Sequence, residues 1–216
     1  MGLPKIASYE LPFVAQIPLA RAKWAFDPDR AALLIHDMQN YFVGAFEPGA
    51  SPITPVIANI VRLKAAAVTA GMPVFYTAQN GNQDRRDRGL QADLWGPGMT
   101  TIPEHQAITD LLRPVPDDIV VVKHRYSAFQ QSNLAHLMRV RDRDQIVISG
   151  IYAHIGCLMT AGEAFQRDIK PFFVADAMAD LSREQHDMAL SYVAATCGIP
   201  LSVETLVSAM NGRADG

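Results

Sequence analysis

The stretch AALLIHD, residues 31–37, decides the fold. Five apolar residues in a row, too few for a helix and followed by a histidine and an acid, read as a strand buried on both faces. A strand with one wet face would alternate instead. Residues 72–78, 119–123, 145–149, 171–175 and 199–203 repeat the pattern, giving six short strands with the first at 31–36. Helical stretches lie between most of them. Residues 54–70 form an amphipathic run that stops at Gly71. Ser182 followed by Gln185 makes a capping box for a helix reaching Cys197. Ser132 caps a helix to about Arg139, and a longer helix from about Gly156 to Asp168 follows the fourth strand. Strand and helix in turn predict a parallel sheet covered on both faces.

The composition limits what such a sheet can serve. The chain of 216 residues suits one domain, 1–216, with residues 1–30 as an extended N-terminal arm, and 49% apolar content supplies a core without a membrane composition. A formal charge of -3, with 19 Lys and Arg scattered along the chain, offers no basic face to nucleic acid. Pro4, Glu10, Pro12 and Pro18 interrupt what a signal peptide would need, Ile6 spoils a myristoylation signal, and no apolar run approaches a bilayer span. Two cysteines, Cys157 and Cys197, without an export signal predict a reduced, cytoplasmic protein that partners neither nucleic acid nor membrane.

Ligands of open parallel sheets bind beyond the carboxyl ends of the strands. There the sequence places Asp37 after the first strand, Gln79 after the second, Lys123 at the end of the third, and a small-residue turn, residues 152–157, after the fourth. An acid, an amide and a cation at one edge suggest polar catalysis, although a lone Asp after a strand is commonly a helix cap and a lone Lys is commonly solvated. Residues 79–99, rich in Gly, Asn, Asp and Arg, are long for a connection, and such loops are usually functional.

The stretches HDMQNYFV (36–43), YTAQ (76–79), RGLQADLWGPGM (88–99), KHRYSAF (123–129) and SGIYAHIGCLMTAGEAFQRDIKPFFVADAMADLS (149–182) resemble the isochorismatases, and the resemblance runs from about Ile6 to about Glu204. It implies a Rossmann-like three-layer α/β/α sandwich with a six-stranded parallel sheet. It also implies hydrolysis of the enolpyruvyl ether of isochorismate to dihydrodihydroxybenzoate and pyruvate, with no metal or organic cofactor. By the same resemblance Asp37, Lys123 and Gly156 are catalytic, and Gln79, Arg88, Tyr152 and the backbone around Gly156 hold the substrate. Phe42, Trp95, Tyr126, Ile155 and Phe129 wall the site. The family tends to dimerise. Some siderophore-pathway members carry a carrier-protein domain, which is expected to be missing here because the chain stops at residues 211–216, leaving a separate carrier protein or pathway enzyme as the possible partner. Stand-alone members include the phenazine-pathway enzyme acting on 2-amino-2-deoxyisochorismate, which is the alternative substrate.

The wider superfamily that the isochorismatases resemble includes cysteine amidohydrolases with an Asp, Lys, Cys triad. Residues 150–157, GIYAHIGC, laid on their Gly-Val-Ala-Thr-Asp-Val-Cys-Val pattern, put Gly156 where the nucleophile stands. Cys157 falls one residue on, about 100° around a helix, and is expected to turn away from the pocket as a small core residue. Cys197 is expected in the core as well. Gly156 is expected to leave room for the substrate ring. Metal-dependent nicotinamidases carry Asp-x-His after the second strand, where this chain has residues 79–83, QNGNQ, so no metal is expected. His36 is expected to pack or hydrogen-bond at the strand end and His154 to shape the turn, while His124 stands where related isochorismatases often have Trp. A vinyl ether is hydrolysed by protonating its terminal methylene, so a positioned acid suffices, and Asp37 takes that role. Two readings of other kinds remain: a cysteine amidohydrolase using Cys157, and a silent docking scaffold.

Overall fold

The computed structural model describes residues 3–212. Six parallel strands form one sheet: β1 (Ala31–His36), β2 (Val74–Ala78), β3 (Ile119–Val122), β4 (Gln145–Ile151), β5 (Lys170–Ala179) and β6 (Ile199–Leu201), in the order β3-β2-β1-β4-β5-β6. Helices are α1 (Asn40–Val43), α2 (Ile53–Thr69), α3 (Arg85–Arg88), α4 (Gln91–Trp95), α5 (Pro103–Gln106), α6 (Leu134–Arg139), α7 (Leu158–Gln166), α8 (Arg183–Thr196) and α9 (Val203–Asn211). The strand order reverses between β1 and β4, and such a switch point opens a crevice at the carboxyl ends of the strands.

Period-two alternation in β1 assigns the layers. Leu33 and Ile35 pack with Ile60 and Leu63 of α2 and Leu206 of α9. Ala32 and Leu34 face the opposite way, onto Met138 of α6, Ala161 of α7 and Leu190 of α8. Both faces of β1 are therefore dry, as its unbroken apolar run requires.

Several boundaries differ from expectation. The sixth strand ends at Leu201, because Ser202 accepts a hydrogen bond from Thr205 N and starts α9, whose Val203, Leu206 and Met210 recur on one buried face. β5 runs on to Ala179 past a register shift opposite Gly150. The helix expected from Gly156 instead begins with one π-helical turn, Ala153–Cys157, before α7, and the Ile151–Tyr152 peptide is cis. The long loop folds into α3 and α4. The arm has a 3-10 turn, Val14–Gln16, and pairs Ile6 with Phe46. The chain ends at 1–2 and 213–216, where the expected extent of the domain also falls, lie outside the described residues. No helix of the described residues is long and apolar enough to cross a membrane.

Candidate active site

A cavity of about 420 Å³ opens at the carboxyl edge of β1 to β4. Asp37 is the first residue beyond β1, with φ 51° in the left-handed region that Asp tolerates better than most residues. Its Oδ1 accepts from Thr77 Oγ1 at 2.6 Å, and its Oδ2 accepts from Gln79 Nε2 at 3.0 Å and pairs with Lys123 Nζ at 2.9 Å. Asp37 is 6% exposed and Lys123 2%. Burial raises the Asp37 carboxyl, but the Lys123 ammonium and the hydrogen bonds from Lys123 and Thr77 outweigh it and hold the group below the ordinary carboxylate range. The pair with Lys123 keeps Asp37 ionised.

Lys123 follows β3, and its ammonium also donates to the carbonyls of Arg125 at 2.9 Å and Tyr126 at 3.4 Å. Gln79 is held by Gln39, which accepts from Gln79 N at 2.7 Å and donates to Gln79 O at 2.9 Å and Gln106 O at 2.8 Å. Arg88 comes from α3. Its Nε donates to Gly96 O at 2.7 Å, and its guanidinium lies so close to Gly98 that a Cβ there would sit 2.6 Å from Cζ. Burial lowers the Arg88 pKa, and among the described residues no carboxylate pairs with it. A buried, unpaired guanidinium facing a cavity suits an anionic ligand, whose carboxylate its fork can grip with two bonds.

Phe42, Trp95, Tyr126, Ile155 and Tyr152 line the same cavity as Asp37, Gln79, Arg88, Lys123 and Gly156. Trp95 Nε1 donates to Tyr126 Oη at 2.7 Å, and Tyr152 Oη donates to Phe42 O at 3.2 Å, so both aromatic walls are tethered. Burial raises the Tyr152 phenol. Phe129 is the exception: it is 3% exposed in the α6–α8 core beneath Arg167, away from the cavity, because residues 127–129 turn inward onto Thr160.

The turn after β4 is clamped from behind. Asp180, fully buried, accepts from His154 N at 2.6 Å and meets His154 Nδ1 at 2.5 Å. Tyr9 of the arm donates to none of these oxygens but accepts from Asp180 N at 2.7 Å. Cys157 is fully buried among core residues that include Leu158 and Ala161, and burial pushes its thiol well above the ordinary range, which keeps it an inert thiol at neutral pH. Cys197 is buried too. His36 is fully buried, with Nδ1 2.9 Å from Ile151 O, and burial lowers its pKa to about 4, so it is neutral. A Cβ on Gly156 would stand 2.2 Å from His36 Cε1. The direction a side chain would take from Gly156 is therefore filled by His36, while Gly156 itself lines the cavity.

Sequence reasoning missed Thr77, Gln39 and Asp180, polar residues whose only signal is placement at or just past a strand end, and Leu3 and Pro4 of the arm, which also line the cavity. Among the described residues no group of three or more His, Cys, Asp or Glu is placed to hold a metal ion.

The Isochorismatase domain family matches residues 31–205. Over 216 residues the chain is 51% identical to the isochorismatase of Bacillus subtilis (strain 168), covering all of this chain and 69% of the relative. It is 49% identical to enterobactin synthase component B of Escherichia coli (strain K12), covering 97% and 73%. It is 42% identical to a phenazine biosynthesis protein of Pseudomonas aeruginosa, covering 95% and 99%. A solved cysteine hydrolase from Pseudomonas syringae pv. phaseolicola 1448A superposes with TM-score 0.80 at 24% identity, covering 90% and 98%, a likeness of fold alone. With the match spanning every strand of the sheet and half of its residues shared with a curated isochorismatase, the chain belongs to the isochorismatase family.

Proposed function

We propose that the chain hydrolyses the enolpyruvyl ether of isochorismate, releasing pyruvate, with Asp37 as general acid and no cysteine nucleophile. The observation that carries this reading is the cavity itself: an aromatic pocket with a buried Asp37–Lys123 pair at its base, an unpaired Arg88, and no thiol on its wall. Isochorismate brings two carboxylates. Arg88 receives one of them, and the negative charge carried in beside Lys123 raises the Asp37 carboxyl, so that it takes up a proton on binding. Asp37 delivers that proton to the terminal methylene carbon. Water adds at the ether carbon of the resulting oxocarbenium ion as it gives a proton to the Asp37 carboxylate, and the hemiketal collapses to pyruvate and the ring alcohol, its hydroxyl proton passing to the departing ring oxygen. Gln79, Lys123 and Tyr152 orient the substrate, and Phe42, Trp95, Tyr126 and Ile155 limit the water that enters. The Asp37 carboxylate regains its three donors when product leaves. No step calls for a metal or an organic cofactor.

The second substrate is 2-amino-2-deoxyisochorismate, the alternative that the resemblance implies, and a relative named as a phenazine biosynthesis protein is matched over nearly its whole length. A hydroxyl and an amino group at one ring carbon differ by one or two polar contacts, so both belong in the same assay. A homodimer in the cytoplasm, working beside a separate carrier protein or pathway enzyme, accords with this reading. The test is a lactate-dehydrogenase-coupled pyruvate assay on isochorismate, its 2-amino analogue and chorismate, with and without a chelator. Pyruvate from one of the first two, undiminished by chelation, is expected; none from either overturns the reading.

A further inference from the structure

Position 156 carries no side chain, and the structure shows what stands in its place. His36 ends β1 on the face that packs against α7, and its fully buried ring lies across the π-helical turn. A Cβ built on Gly156 would meet three ring atoms, Cε1 at 2.2 Å, Nε2 at 2.9 Å and Nδ1 at 3.0 Å. Real Cβ atoms do not approach that closely, and the ring cannot step aside cheaply. Its Nδ1 is engaged with Ile151 O at 2.9 Å, and its backbone is pinned by Gly150, whose own Cβ at φ 108° would lie 2.2 Å from His36 O.

We propose that His36 selects the chemistry of this site: by filling the space that a side chain at position 156 requires, it closes that turn to a nucleophile and leaves the reaction to proton transfer from Asp37. The chemical meaning of this step rests on the reading above, whereas the packing it asserts is measured without turnover. His36 is a positioning residue that acts through the turn carrying Gly156 and through its place 3.8 Å from Asp37 Oδ1.

The experiment is a double-mutant cycle at the two positions, read by melting and by thiol alkylation. Gly156→Ala in the natural chain is expected to lower Tm by roughly 2–12 °C, the range for overpacking in a chain of this length. In a His36→Ala background, or in His36→Val should that variant not fold, the same substitution is expected to cost nothing or to raise Tm, since it refills vacated space. Gly156→Cys in the relieved background should then be alkylated by iodoacetamide faster than the His36→Ala protein alone, whose Cys157 and Cys197 serve as the buried control. Additive melting effects, an unchanged Tm for Gly156→Ala in the natural chain, or an introduced thiol as inert as Cys157 would each overturn the proposal. Absence of activity on isochorismate in the natural chain, with the cycle intact, would instead count against the proposed function.

Discussion

Asp37→Asn separates the charge of the acid from its shape, and the structure sets what each is worth. Turned so that its oxygen faces Gln79 Nε2 and Lys123 Nζ, the amide keeps both of the contacts now at 3.0 and 2.9 Å, and its nitrogen donates to Thr77 Oγ1, now 2.6 Å away. The hydrogen-bond network survives. The ion pair does not, and Lys123, 2% exposed, keeps only the Arg125 and Tyr126 carbonyls and one amide dipole as partners. Removing one member of a buried pair costs roughly 3–5 kcal/mol, and the retained dipole puts this case near about 3 kcal/mol. For a chain of this length that is a fall in Tm of about 6–12 °C. Turnover should fall by at least about 10²-fold, because an amide has no acidic proton for carbon, while KM changes far less. The assay is coupled pyruvate release at saturating isochorismate, with Tm measured on the same preparation. A folded Asp37→Asn protein with near wild-type turnover would refute the assignment of Asp37.

Other perturbations follow from the same geometry. Arg88→Lys removes a planar fork that no carboxylate of the described protein occupies, so KM should rise by about 10-fold or more with a smaller effect on kcat, and an unchanged KM would remove Arg88 from carboxylate recognition. Cys157→Ala deletes one heavy atom from the α6–α8 core, at about 1 kcal/mol, and should keep most of the turnover; a folded but inactive variant would point back to a thiol mechanism. Asp180→Ala leaves the half-buried amides of His154 and Leu181 without their acceptor and should cost roughly 1–3 kcal/mol while raising KM, as the turn bearing Ile155 and Gly156 loosens. Burial lowers both His36 and His186 to about 4, from 6.5 when unfolded, so each contributes stability above about pH 6.5 that is lost as pH falls toward 4, about 3 kcal/mol apiece. Tm measured across that window should drop, and should drop less in His186→Gln; a flat profile would contradict the buried neutral imidazoles.

What the sequence made legible was what local pattern controls. AALLI needs two dry faces, and β1 has them; Ser182 with Gln185 is a local cap, and α8 begins there. Asp37, Gln79 and Lys123 could be placed at one edge because each directly follows a strand run. The misses are places where distant chain decides. Ile199 and Leu201 continue in pattern into Val203, yet Ser202 finds Thr205 N and begins a helix that packs on α2. Phe129 reads as a wall until Thr160 is seen to draw its segment into the core. Asp180 lies beyond β5 and Thr77 within β2, and only the assembled sheet brings the one to His154 and the other to Asp37. His36 and Gly156 are separated by most of the chain, so their contact has no signature in either local segment.

Where water's oxygen goes tests the central claim most directly. Isochorismate turned over in heavy-oxygen water should yield a ring diol free of label by mass spectrometry, because protonation at the methylene sends water to the pyruvyl carbon and leaves the ether oxygen on the ring. Label in the ring diol would mean displacement at the ring carbon, and the acid-catalysed opening assigned to Asp37 would be wrong.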